Sequence, residues 1–143
     1  MKRIQNILHV FEDAVDQGAV VARAVSLPRG NRARLTVVDV VPEPAGGGPA
    51  PADHMAAAVA QRRAALESLF APHDPPTDLR VEILVGIRSV EVVRAVLRDQ
   101  YDLVVKPAED PDWVERLFGG DDMRLLRQCP CPVWLMRAGE KPR

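Results

Sequence analysis

Five short runs of apolar and β-branched residues alternate with four stretches of helical spacing, and this alternation constrains the chain more than any other feature. The runs are Ile4 to Phe11, Leu35 to Val41, Leu79 to Val85, Asp102 to Lys106 and Val133 to Arg137. Between the first two, Ala14 to Leu27 carries Val21, Ala24, Val25 and Leu27 at helical spacing, with Pro28 and Gly30 expected to end the helix. Asp53 to Phe70 forms a second helix, capped by Asp53 and stopped by Pro72, Pro75 and Pro76. Ser89 is the expected cap of a third, whose buried stripe is Val92, Val93, Val96 and Leu97 while Glu91, Arg94 and Arg98 face water. Asp121 or Asp122 opens a short fourth. Strands joined by helical crossovers form a parallel sheet covered by helices on both faces. Ligands of such sheets sit beyond the carboxyl ends of the strands, where the strand order reverses.

A length of 143 residues with 47% hydrophobic content is enough for one domain, residues 1–143, with a core that needs no disulfide or metal. The 19 basic and 20 acidic residues leave a formal charge of −1 and no basic block, which argues against nucleic-acid and anionic-membrane partners. The opening MKRIQNILHVFED has no cleavage pattern, and no apolar run approaches membrane-spanning length, so a soluble cytoplasmic protein is expected. Pro42 to Ala52 (PEPAGGGPAPA) interrupts the alternation and is read as a flexible loop. Its glycine triplet lies too far from the next helix start, among prolines without amide donors, to cradle phosphate.

Three segments carry a family resemblance over essentially the whole chain: QNILHVFED, DLVVKPAED and LFGGDDMRLLRQCPCPVWLMR. Together they resemble the universal stress protein family, and the short leucine-rich helix leading into a C-P-x-P-V strand resembles its E-type members most. The resemblance implies a Rossmann-like fold of the adenine nucleotide alpha hydrolase kind, with strand order 3-2-1-4-5. It also implies that the last strand pairs with its counterpart in a dimer, which places Val133, Trp134, Leu135 and Met136 at the interface. In nucleotide-binding members the fourth strand is followed by G-x2-G-x9-G-[ST], and an aspartate ends the first strand. At the matching positions this sequence has Pro107, Asp110, Gly120 and then Asp121, with Glu12 in place of the first-strand aspartate.

Those replacements change the chemistry of the loop. A phosphate cradle needs close backbone approach and amides that point at the anion. Proline supplies no amide. Glu109, Asp110, Asp112, Asp121 and Asp122 surround the same turn, and each would repel a phosphate charge at about 4 Å by roughly 4 kcal/mol at an effective dielectric near 20, before screening. The sequence therefore describes a degenerate nucleotide cleft of Glu12, Asp13, Val40, Lys106, Pro107, Asp110, Gly119 and Gly120, with no cofactor and no resident metal expected. Within it, Lys106 is expected to face Glu12 or Asp13 across adjacent strand ends, with the flanking carboxylates solvated or capping the short helix. The alternative is ATP with Mg²⁺, the acidic residues bridging through the ion and Lys106 supplying a cation.

No catalytic set emerges: the chain has no nucleophile elbow, Walker lysine loop or H-E-x-x-H motif. His9, His54 and His73 are too scattered for a metal motif, and only His9, inside the first strand, is a candidate pH sensor. Cys129 and Cys131 alternate with Pro130 and Pro132, so an extended, stiff segment with poor disulfide geometry is expected. Small apolar residues packed at the entry to the last strand is the favoured reading, redox sensing the other. Trp113 is expected over the cleft mouth and Trp134 on an edge strand that a symmetric dimer would cover. The expected molecule is a non-enzymatic, homodimeric stress-response protein acting through a protein partner or small ligand. The alternative is a nucleotide-dependent switch.

Overall fold

The computed structural model describes residues 4–11, 17–43, 52–75, 78–107 and 121–136, with backbone alone for 17–20, 30–31, 52–53 and 121. Five parallel strands form one sheet: β1 (Asn6–Val10), β2 (Arg34–Val41), β3 (Arg80–Val85), β4 (Leu103–Pro107) and β5 (Val133–Met136), in the order β3-β2-β1-β4-β5. Helices α1 (Gln17–Asn31), α2 (Ala52–Phe70), α3 (Arg88–Asp99) and α4 (Asp121–Gln128) make the crossovers. β1 lies between β2 and β4, so the order reverses there, and a crevice at that point belongs to the carboxyl ends of β1 and β4.

The alternation of side chains along each strand divides the apolar residues between two cores. Ile7, Leu35, Val37, Leu103 and Val105 pack against Val21 and Val25 of α1 and Leu66 and Phe70 of α2. Leu8, Val10, Val38, Val40 and Val104 pack against Val92 and Val96 of α3 and Leu125 of α4. Burial on both faces explains why the strands read as near-continuous apolar runs. At the amino end, the Asp102 carboxylate accepts the Gln5 and Asn6 amides at 2.9 and 3.0 Å and fastens the start of β1 beside β4.

Three helix expectations are corrected. α1 runs through Pro28 to Asn31, because a proline near the last turn removes a single helical bond, the one to the Ala24 carbonyl. The helix stops at Arg32, which takes the left-handed conformation (φ 52°), and the Ala33 amide donates back to the Pro28 carbonyl at 3.0 Å. Ser89 does not cap α3: the cap position is Ile87, and Ser89 is buried in the first turn, one turn before Val92. Leu97 is 65% exposed, since Val92, Ala95 and Val96 hold the sheet-facing stripe and the next position points away. Gly86 (φ 145°) joins β3 to α3, and a Cβ there would meet the Glu91 carboxylate at 2.9 Å.

Candidate functional site

Lys106 is the penultimate residue of β4, at the carboxyl end of the sheet, and points to the face covered by α3 and α4. Its side chain is 1% exposed. The ammonium lies 2.5 Å from Asp122 Oδ1 in the first turn of α4, and donates to the carbonyl of Pro107 at 3.0 Å. Asp122 is itself only 13% exposed. Two opposite charges therefore share a site with little water, which keeps both paired.

The expected partners of Lys106, Glu12 and Asp13, lie outside the described residues, and among those described its carboxylate is Asp122. Lys106 meets a carboxylate from α4, and Asp122 is neither solvated nor merely a cap. Glu12, Asp13, Asp110, Gly119 and Gly120 lie outside the described residues, as do Trp113 and most of the loop 42–52. Pro107 is the last residue of β4, paired in register with Met136, and is buried. Val40 belongs to the apolar core on the α3 and α4 side.

A second buried charge, which the sequence reading did not single out, lies on the opposite face. Asp39 on β2 pairs with Nε of Arg62 from α2, and the Arg62 guanidinium sits 6.0 Å from the centre of the Phe11 ring, just past β1. The signal was present as a lone carboxylate inside LTVVDVV. A buried strand aspartate needs a cation, and Arg62, 23 residues later, supplies it.

His9 is fully buried on β1, and neither ring nitrogen has a hydrogen-bond partner among the described residues. Burial disfavours the imidazolium and lowers its pKa to about 4, so the ring stays neutral near pH 7. His54 is exposed on α2 and His73 half-buried in the turn Ala71–His73. Among the described residues no group of three or more His, Cys, Asp or Glu is placed to hold a metal ion. A cavity of about 400 Å³ opens at the amino end of the sheet, lined by Asn6, Arg34, Thr36, Arg80, Asp99 and Tyr101. It lies at the far end of the strands from Lys106 and mixes both signs of charge.

The cysteine segment also differs from expectation. The chain bends at Pro130 and Cys131, and the two Sγ atoms approach to 3.6 Å, both half-buried against the core on the α3 and α4 side.

A model of the universal stress protein family matches residues 3–137. The chain belongs to this family. Among curated proteins it is similar to Universal stress protein E of Photorhabdus laumondii, at 27% identity over 96% of this chain and 46% of that protein. It is also similar to Universal stress protein E of Salmonella typhi, at 34% identity over 41% of this chain and 19% of that protein. The chain thus spans less than half the length of the curated relatives it matches. Universal stress protein UspA from Lactobacillus plantarum shares 25% identity and a TM-score of 0.63, over 96% of this chain and all of that one. A universal stress protein from Archaeoglobus fulgidus, solved in complex with dAMP, aligns at 15% identity and TM-score 0.67, over 95% of this chain and 100% of that chain. Another, solved in complex with cAMP, aligns at 16% and 0.71, over 96% and 100%. No helix among the described residues is long and apolar enough to cross a membrane.

Proposed function

We propose that this universal stress protein is a non-enzymatic, cytoplasmic stress-response protein that does not bind ATP in the pose its family's phosphate loop serves. The observation that carries this reading is the pairing of Lys106 with Asp122. An ammonium at the carboxyl end of β4 is the natural cation for a phosphate, and here a carboxylate of the same chain holds it at 2.5 Å. A phosphate would have to displace that carboxylate and then lie beside it, which costs the pair and adds like-charge repulsion. Pro107 deepens the effect, because the strand's last residue has no amide to offer.

A homodimer through β5 accompanies this reading. Among the described residues β5 is an edge strand hydrogen-bonded only to β4, and Trp134 is 50% exposed on it. An unpaired ladder beside a large exposed aromatic is a surface that proteins cover, and a second copy covers it symmetrically.

A second reading, an ATP- or AMP-dependent switch acting with Mg²⁺, is favoured by the two fold neighbours solved with dAMP and cAMP. Calorimetric titration of the full chain with Mg²⁺–ATP, AMP and cAMP separates the two. The expected result is no saturable heat at millimolar nucleotide. Saturable binding that is lost in Lys106→Met, in a variant shown by circular dichroism to be folded, would establish the switch instead.

A further inference from the structure

Cys129 and Cys131 are the two cysteines of the chain, and they stand at the amino end of β5, at the far end of the sheet from Lys106. Their geometry is set by the backbone. The Cys129 amide closes α4 on the Leu125 carbonyl at 2.9 Å, and the Pro132 carbonyl accepts the Val104 amide at 3.0 Å. Between these two anchors the chain bends, and the sulfurs meet at 3.6 Å. Pro130 and Pro132 are exposed on either side, so the bend lies at the surface while each thiol is half-buried.

Two thiols in contact do not share protons equally. Either sulfur can donate in the contact between them; with Cys131 donating, the hydrogen bond favours a thiolate on Cys129 and lowers its pKa to about 6 against the opposing effect of burial. Cys131 is driven up, first by that hydrogen bond, then by burial and by the negative charges of Cys129 and Asp102. Near pH 7 the pair thus has one sulfur charged and its neighbour protonated. A thiol whose pKa lies near the ambient pH is the fastest attacking thiol, and a second sulfur already in contact converts the next step into an intramolecular one. With no third donor beside them among the described residues, the two sulfurs do not complete a metal site.

We propose that Cys129 and Cys131 form a thiol–disulfide exchange site for low-molecular-weight disulfides, with Cys129 as the entering nucleophile and Cys131 as the resolving thiol. In the first step the Cys129 thiolate attacks one sulfur of the small disulfide RS–SR. A bond forms between Cys129 Sγ and that sulfur, the S–S bond breaks, and RS⁻ leaves with the electron pair. In the second step Cys131 loses its proton to solvent and attacks Cys129 Sγ, expelling the second RS⁻. The protein dithiol gives up two electrons and two protons, and the small disulfide becomes two RSH. The site is independent of the nucleotide reading, since neither step involves the carboxyl end of the sheet.

The test incubates the reduced full chain with glutathione disulfide at pH 7 and follows intact mass without reductant. The wild type is expected to lose two hydrogens and retain no glutathione. Cys131→Ser stops as a single-glutathione adduct, and Cys129→Ser reacts at least about tenfold more slowly, because its remaining thiol is mostly protonated. Circular dichroism confirms that both variants are folded. A measurement on the wild type alone, the pH dependence of alkylation mapped to each cysteine, is expected to give Cys129 half its maximal rate near pH 6. A persistent wild-type adduct, a disulfide-linked dimer as sole product, or equal rates for the two serine variants would overturn the proposal.

Discussion

The two faces of the sheet each bury a charge, and they do so in opposite ways. On the α1 and α2 side the buried member is an acid, Asp39, and its partner Arg62 reaches in from a helix with 32% of its side chain still in solvent. On the α3 and α4 side the buried member is a base, Lys106, and both partners are withdrawn from water. The difference shows how much of each pair water can replace. Arg62 keeps 32% of its side chain in solvent, so its removal opens Asp39 to water, whereas the Lys106 side chain is itself buried and its removal takes from Asp122 the cation it pairs with.

The sharpest way to break the contrast is Lys106→Ala. Urea denaturation is expected to show a loss of about 4 kcal/mol, because a largely buried carboxylate loses the cation it pairs with. The double variant Lys106→Met with Asp122→Leu should recover most of it, since the apolar pair needs no compensation. A single-variant loss of about 1 kcal/mol or less, the cost of a surface pair, would mean that the Lys106 pair is not shielded from water.

A third buried group, His9, is neutral near pH 7 and has no hydrogen-bond partner among the described residues. Its folded-state pKa of about 4 lies below the ordinary 6.5, so the unfolded chain takes up a proton first as the pH falls. The stability associated with neutral His9 is present above pH 6.5 and is lost between 6.5 and about 4. Each pH unit in that window is worth about 1.4 kcal/mol, or about 3 kcal/mol over the whole interval. Stability measured against pH should flatten over the same interval in His9→Leu. A slope unchanged by the substitution would transfer the acid sensitivity to the carboxylates.

The smallest effect is expected for Arg62→Ala. Water can enter beside α2 to solvate Asp39, so the expected loss is about 2 kcal/mol, with Arg62→Lys restoring part of it. A loss equal to that of Lys106→Ala would erase the distinction between the faces.

How much of this was legible in the sequence depends on whether the information was local. The β-branched runs placed all five strands to within a residue or two, and for the inner strands β1, β2 and β4 this is because burial on both faces leaves a continuous apolar record. The stripe of α3 was harder. Val92, Val93, Val96 and Leu97 offer two overlapping helical faces, and only the packing of Ala95 against the sheet decides between them. Ser89 read as a cap from its type alone, although its phase relative to Val92 turned it inward. The Lys106–Asp122 and Asp39–Arg62 pairs join residues on different elements, and spacing along the chain does not reveal which carboxylate a lysine meets. The bend that brings Cys129 to Cys131 is set by the end of α4 and the docking of Pro132 on β4, and neither is visible in C-P-C-P itself.

The clasp formed by Asp102 on the amides of Gln5 and Asn6 has a bearing on how the molecule is assembled. β1 is the central strand and the first of the five to be synthesised, yet the residue that fastens its start lies 96 positions further along from Asn6. Its pairing with β2 closes early, over a short crossover, while its other flank has no mate until Leu103 to Pro107 have been synthesised. For most of translation the centre of the future sheet is therefore a rim with open hydrogen-bonding groups, and its protection from stray pairing falls to whatever meets the nascent chain.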